Sequence, residues 1–130
     1  MTKKTKSVLI VDDNQQLREL VRLTLAFSEY QLHEAENAIE ALQLIKQIRP
    51  DVILLDIMMP GDLNGLDVCA QIKSDPNIRD TRVIILSAKG QKMDLVAGDL
   101  VGADAYFVKP FSPISLLESI DGHAPPNRQW

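Results

Sequence analysis

The sequence has a single cysteine, Cys69, which excludes an internal disulfide and a cysteine-based metal cluster. Cys69 lies in an apolar helical pattern with Leu66, Val68 and Ile72, and reads as core filler and not as a reactive thiol. Positive charge is not in excess. The net charge is -4, whereas a nucleic-acid-binding surface is basic. No apolar stretch approaches the roughly 18 residues that cross a bilayer. Behind Lys3, Lys4 and Lys6, the run Ser7–Val11 is too short for a signal-peptide core and meets Asp12. The expectation is a cytoplasmic protein with no direct nucleic-acid or membrane contact.

What remains is ordinary in bulk. The chain has 130 residues, 45% hydrophobic and 25% charged, enough for one domain with a real core. Residues 1–6 read as a basic solvated arm, 7–121 as the domain, and 122–130 as a short tail. There is no internal repeat and no low-complexity segment.

The order of elements is organised around Asp51–Pro60. Val52–Leu55 is an unbroken apolar run of strand length, as expected of a strand buried on both faces. It ends on Asp56, and Pro60 prevents its continuation. Similar strands are expected at Ser7–Val11, Arg82–Leu86 and Ala105–Val108, and a weakly alternating one at Tyr30–Ala35. Between and after them run helical patterns. The first follows Asp12-Asp13-Asn14 and reaches about Phe27, with one of the two acids as its cap and the other spare. The second follows Asn37 and ends at Arg49-Pro50. The third covers about Leu66–Ser74. The fourth covers about 91–100 and contains Gly98, which makes it the weakest. The fifth opens at Ser112-Pro113 and stops at Asp121-Gly122. Five strand–helix repeats imply an α/β fold with a parallel sheet and helices on both faces. Among known doubly wound sheets, the flavodoxin-like order 2-1-3-4-5 is adopted.

In such a sheet the carboxyl ends of the strands share one edge, where ligands bind. Those ends carry Asp12 and Asp13, Asp56, Ser87 and Lys109. Three neighbouring carboxylates do not all stay ionised without a cation, and an oxygen-only ligand set suits Mg²⁺. Phosphoryl transfer needs these parts: a nucleophile, a metal, and fixed positive charge on the phosphoryl oxygens. Asp56 is central and can accept a phosphoryl group as an acyl phosphate. Lys109 would neutralise one phosphoryl oxygen and Ser87 would donate a hydrogen bond to another. Each residue alone is more often a cap, a turn or a surface charge; their joint placement at four strand ends carries the reading.

The acid pair Asp12-Asp13, the box Asp56-Ile-Met-Met-Pro60, Ser87-Ala88 and Lys109-Pro110-Phe111 resemble the receiver (CheY-like) domain of two-component response regulators, over about residues 6 to 121. The resemblance implies that Asp56 is the phosphoacceptor, with Asp13 a direct Mg²⁺ ligand, Asp12 a ligand through water, and the Met58 backbone carbonyl a third protein ligand. It implies that Ser87 is a switch hydroxyl, Lys109 its cationic partner, Lys109–Pro110 a cis peptide, and Tyr106 an aromatic that rotates inward when Ser87 moves. The implied partners are a sensor histidine kinase or histidine phosphotransfer protein, and a downstream protein or effector domain. The face of the fourth helix, fifth strand and fifth helix is the expected output surface, through which family members often form homodimers. With only residues 122–130 after the domain, output is expected through a partner, a phosphorelay or a domain on a longer chain.

The sequence departs from the family in one place: Met59-Pro-Gly-Asp-Leu-Asn-Gly65 is one residue longer than the usual loop. The family also varies two residues after the phosphoacceptor and two after the hydroxyl. The resemblance implies that Met58 and Lys89, which stand there, restrict or redirect the attacking water, and a persistent phosphoryl state is expected. His33 and His123 fall outside the strand-end set. Two rivals are a receiver-like scaffold that is never phosphorylated and a haloacid-dehalogenase-like phosphatase. The phosphatase would need a second Asp where Met58 stands, and a scaffold has no need of so costly a charge cluster.

Overall fold

Strand β3 (Val52–Asp56) is buried at every position and is paired on both sides. The computed structural model describes residues 6–26, 28–59, 61, 63–87, 102–109 and 111–121. Around β3 lie β1 (Ser7–Val11), β2 (Gln31–Ala35), β4 (Arg82–Ser87) and β5 (Ala105–Val108), in the order β2-β1-β3-β4-β5. Every pairing is parallel. The described helices are α1 (Gln15–Thr24), α2 (Ala38–Ile48), α3 (Gly65–Ser74) and α4 (Pro113–Asp121). The helix expected over 91–100 lies outside the described residues, as do Lys89 and the 122–130 tail.

The alternation of side chains along each strand divides the core in two. Leu9, Val11, Ile53, Leu55, Val83, Ile85 and Tyr106 face α2 and α3, meeting Ala41, Ile45, Val68, Cys69 and Ile72. Val8, Ile10, Val52, Leu54, Ile84, Leu86 and Phe107 face the other way, onto Val21, Leu25, Leu116 and Ile120 of the α1–α4 side. This explains the uninterrupted apolar runs of β1, β3 and β4. Each fully buried Leu or Ile contributes about 1.5–3 kcal/mol relative to exposure. Cys69 is buried, and burial pushes its thiol up to about 11. It is core, as its spacing implied.

Edge strand β2 pairs only with β1, and its burial is partial until Ala35. It starts at Gln31, one residue later than expected.

Two helix ends differ from the sequence reading. Neither acid of the Asp12-Asp13 pair caps α1. Asn14 does, its Oδ1 accepting from Gln16 N at 2.9 Å and Leu17 N at 3.3 Å. Helix α1 ends at Thr24, with Leu25 as its C-cap, whereas the apolar repeat suggested Phe27. Helix α2 does stop at Arg49-Pro50, but Arg49 takes the left-handed region (φ 45°) and donates its N–H to Ile45 O. The proline restriction favours extended backbone there; instead the helix closes by turning back on its own last carbonyls.

Candidate functional site

Each chemistry-bearing residue is delivered by a strand end. Asp12 follows β1, Asp56 closes β3, Ser87 closes β4 and Lys109 follows β5. The ladder continues past the strands: Ile57 N donates to Leu86 O (3.3 Å) and Lys109 N to Ser87 O (2.8 Å). Lys109 is thereby tied beside β4, and its ammonium reaches back across the edge. Nζ donates to Asp56 Oδ1 and to Asp12 Oδ2, each at 3.2 Å.

One carboxylate oxygen from each of Asp12, Asp13 and Asp56 lies within 4.8 Å of the others. Asp12 is fully buried and Asp56 nearly so, whereas Asp13 is exposed. The Asp12 side chain is held from two directions, Oδ1 accepting from Asn14 N at 2.9 Å and Oδ2 from Lys109. Asn14 thus frees the acid pair by doing the capping itself.

Among the described residues, one ammonium against three carboxylates leaves two negative charges unbalanced when all are ionised. The Asp56 carboxyl is shifted upward. Burial is the main cause that lifts it from its ordinary 3.8 to about 6, and the Asp12 charge adds to the effect. The charge and hydrogen bond of Lys109 pull the other way, and Asp13 contributes a smaller increase. A divalent cation would supply the missing charge. The donor set fits a hard one, because it is all carboxylate oxygen and opens to solvent at Asp13. Ser87 adds a second sign of an absent ligand. It is 1% exposed, and its Oγ has no hydrogen-bond partner among the described residues. A buried hydroxyl left unpaired is uncommon and calls for an explanation; an oxygen-rich anion at the strand ends would supply its acceptor.

The remaining expected residues are placed less centrally. Met58 lies two positions past Asp56 and is 61% exposed. Tyr106 is already inside, in register with Ile85 and packed in the α2–α3 side of the core. Pro110, and with it the Lys109–Pro110 peptide, is outside the described residues. His33 sits in β2 opposite Leu9, away from the strand ends.

Gly65 was missed. It opens α3 after the Asn64/Asp67 capping box, and its N–H donates to Ile57 O at 3.0 Å. A Cβ there would lie 2.2 Å from the Asp56 carbonyl oxygen, so only glycine lets α3 start this close to the acid. Its place as the first residue of α3, directly after the cap, was the available signal. Arg18 was missed too; it is buried and donates to the Asp12 backbone carbonyl.

Comparison with known proteins agrees with this architecture. The response regulator receiver domain family matches residues 8–121. The chain is 41% identical over 112 residues to the phosphate regulon transcriptional regulatory protein PhoB of Pseudomonas aeruginosa, covering 86% of this chain and 48% of that protein. The fold is similar to that of Vibrio cholerae chemotaxis protein CheY4, with TM-score 0.83, 29% identity and coverage of 93% and 100%. It is also similar to the Mn²⁺-bound form of response regulator Rcp1, with TM-score 0.77, 25% identity and coverage of 90% of each chain. The chain belongs to the response regulator receiver domain family and is a receiver of the two-component type. It spans about half the length of the curated relatives it matches. Among the described residues, no helix is long and apolar enough to cross a membrane.

Proposed function

We propose that this receiver accepts a phosphoryl group on Asp56 from a phosphohistidine protein, a sensor histidine kinase or histidine phosphotransfer protein. A carboxylate oxygen of Asp56 attacks phosphorus, an O–P bond forms, and the P–N bond to the donor imidazole breaks with its electron pair returning to nitrogen. The product is an acyl phosphate. The single observation that carries this reading is the Lys109 ammonium bridging Asp56 and Asp12 at 3.2 Å each, beside Asp13 and a buried Ser87 hydroxyl that has no hydrogen-bond partner among the described residues.

Asp12, Asp13 and Asp56, with the Met58 carbonyl, would hold Mg²⁺; when bound, the ion neutralises charge on the phosphoryl oxygens. Rcp1, a structural neighbour, has a Mn²⁺-bound form, which supports a divalent ion here. Lys109 then turns from the carboxylates to a phosphoryl oxygen, and Ser87 donates its orphaned hydroxyl to another. The modification adds about -1.5 to -2 charges. Rearrangement of Ser87 and Lys109 is passed to the segment between them and to Tyr106, β5 and α4. That face signals to a downstream protein or effector domain, or joins a second receiver. The protein works in the cytoplasm, where such donors act.

The test is intact mass after incubation with acetyl phosphate, with and without Mg²⁺. A gain of one phosphoryl group that needs Mg²⁺ and is absent in Asp56→Asn is the expected result. Equal gain in Asp56→Asn would move the chemistry elsewhere.

A further inference from the structure

We propose that Arg18 is a positioning residue for the divalent cation, fixing the Asp12–Asp13 peptide so that both carboxylates meet Asp56. This rests on the reading of the acid cluster as a Mg²⁺ site.

Arg18 is a charged residue of α1 that is only 9% exposed. Its Nη1 donates to the Asp12 carbonyl oxygen at 2.6 Å, and its Nε to Glu34 Oε1 at 3.1 Å. Glu34, near the end of β2, also pairs with Arg22 one turn along the helix. Burying a guanidinium is costly before pairing, and a well-packed apolar side chain often serves stability as well or better. The position of the bond gives the arginine a purpose. The Asp12 carbonyl belongs to the peptide that joins the two acids, so holding it sets the direction in which Asp13 leaves.

The preceding peptide is held independently, Asp12 N donating to Ala35 O at 3.1 Å. Both contacts anchor the acid pair to the end of β2, one directly and one through Arg18 and Glu34. Asp13 itself is exposed, so it depends on its backbone for direction more than buried Asp12 does. Groups that orient metal ligands from behind typically account for about 10–100-fold in metal affinity.

Charge and position make opposite forecasts, which makes the idea testable. Arg18 is a cation near a cation site. By Coulomb's law alone its removal tightens Mg²⁺ binding, whereas loss of positioning weakens it.

Calorimetric titration of Mg²⁺ into the full chain compares the parent with Arg18→Met, Arg18→Lys and Glu34→Gln. Val21→Ala, a core change in the same helix, controls for lowered stability. The expected result is an affinity at least about tenfold weaker in Arg18→Met. Arg18→Lys falls between, because an ammonium does not reproduce the fork that holds both oxygens. Glu34→Gln loses less, and Val21→Ala binds like the parent. Should Arg18→Met not fold, Arg18→Lys and Glu34→Gln give the same reading. Unchanged or tighter binding in folded Arg18 variants overturns the proposal, as does equal weakening in Val21→Ala. A parent that takes up no Mg²⁺ overturns the underlying reading of the site instead.

Discussion

Replacing Asp56 by Asn is expected to stabilise the metal-free protein while abolishing its chemistry. Lifting a buried carboxyl from 3.8 to about 6 makes its ionised form roughly 3 kcal/mol less favourable in the folded chain than in the unfolded one. Asn removes that cost but also loses the charge-assisted bond from Lys109, so the net gain at pH 7.5 is about 1–3 kcal/mol. For a domain of this size the gain corresponds to a rise in Tm of roughly 3–4 °C per kcal/mol.

The pH dependence follows from the direction of the shift. Between about pH 4 and 6 the folded state holds the Asp56 proton and the unfolded state releases it. Parent stability from this group is therefore full below about pH 4, falls as pH rises towards 6, and is flat above. The advantage of Asp56→Asn is largest at pH 7.5 and vanishes near pH 4. Urea unfolding with a chelator present, at both pH values, measures it. Saturating Mg²⁺ should stabilise the parent more than the variant and narrow the gap. A variant less stable than the parent at pH 7.5, or a gain equal at both pH values, would refute the idea that burial of the Asp56 charge strains this site.

Three further substitutions test the reading of the site. Lys109→Met removes the ammonium that pairs with Asp12 and Asp56, so Mg²⁺ should bind severalfold more tightly by calorimetry while phosphoryl gain slows by about a hundredfold. Gly65→Ala forces a Cβ against the Asp56 carbonyl and should cost about 1–3 kcal/mol by urea midpoint, slowing phosphorylation as the acid is displaced. Met58→Asn combined with Lys89→Glu should shorten the phosphoryl lifetime, followed by intact mass after removal of the donor; an unchanged lifetime would show that these residues do not restrict the attacking water.

The sheet and most of the site were legible because their signals are coarse. A strand buried on both faces needs no decision about which side is inward, so Val8–Val11 and Val52–Leu55 declared themselves. A charge that interrupts such a run, as Asp12 and Asp56 do, stands out against it. What was not legible depends on tertiary contact. Asp12, Asp13 and Asn14 are all good caps, and which of them directly precedes the helix, here Asn14, is settled by the folded chain, with Asp12 turned into the site against Lys109. Arg18 and Arg22 are spaced like a solvated helix face, and their acidic partner, Glu34, comes from strand β2. The edge position of β2 left its alternation faint. Gly65 looks like any helix-start glycine until the Asp56 carbonyl is seen where its side chain would be.

The central claim is that Asp56 carries the phosphoryl group as an acyl phosphate. It is tested most directly by treating the protein with acetyl phosphate and Mg²⁺, reducing it with borohydride and sequencing its peptides by mass spectrometry. An acyl phosphate is reduced to the alcohol, so homoserine should replace the aspartate at position 56, at that position alone and only when Mg²⁺ and the phosphodonor were both present. Homoserine at Asp12 or Asp13, or a phosphoryl group that survives reduction on a serine or histidine, would contradict it.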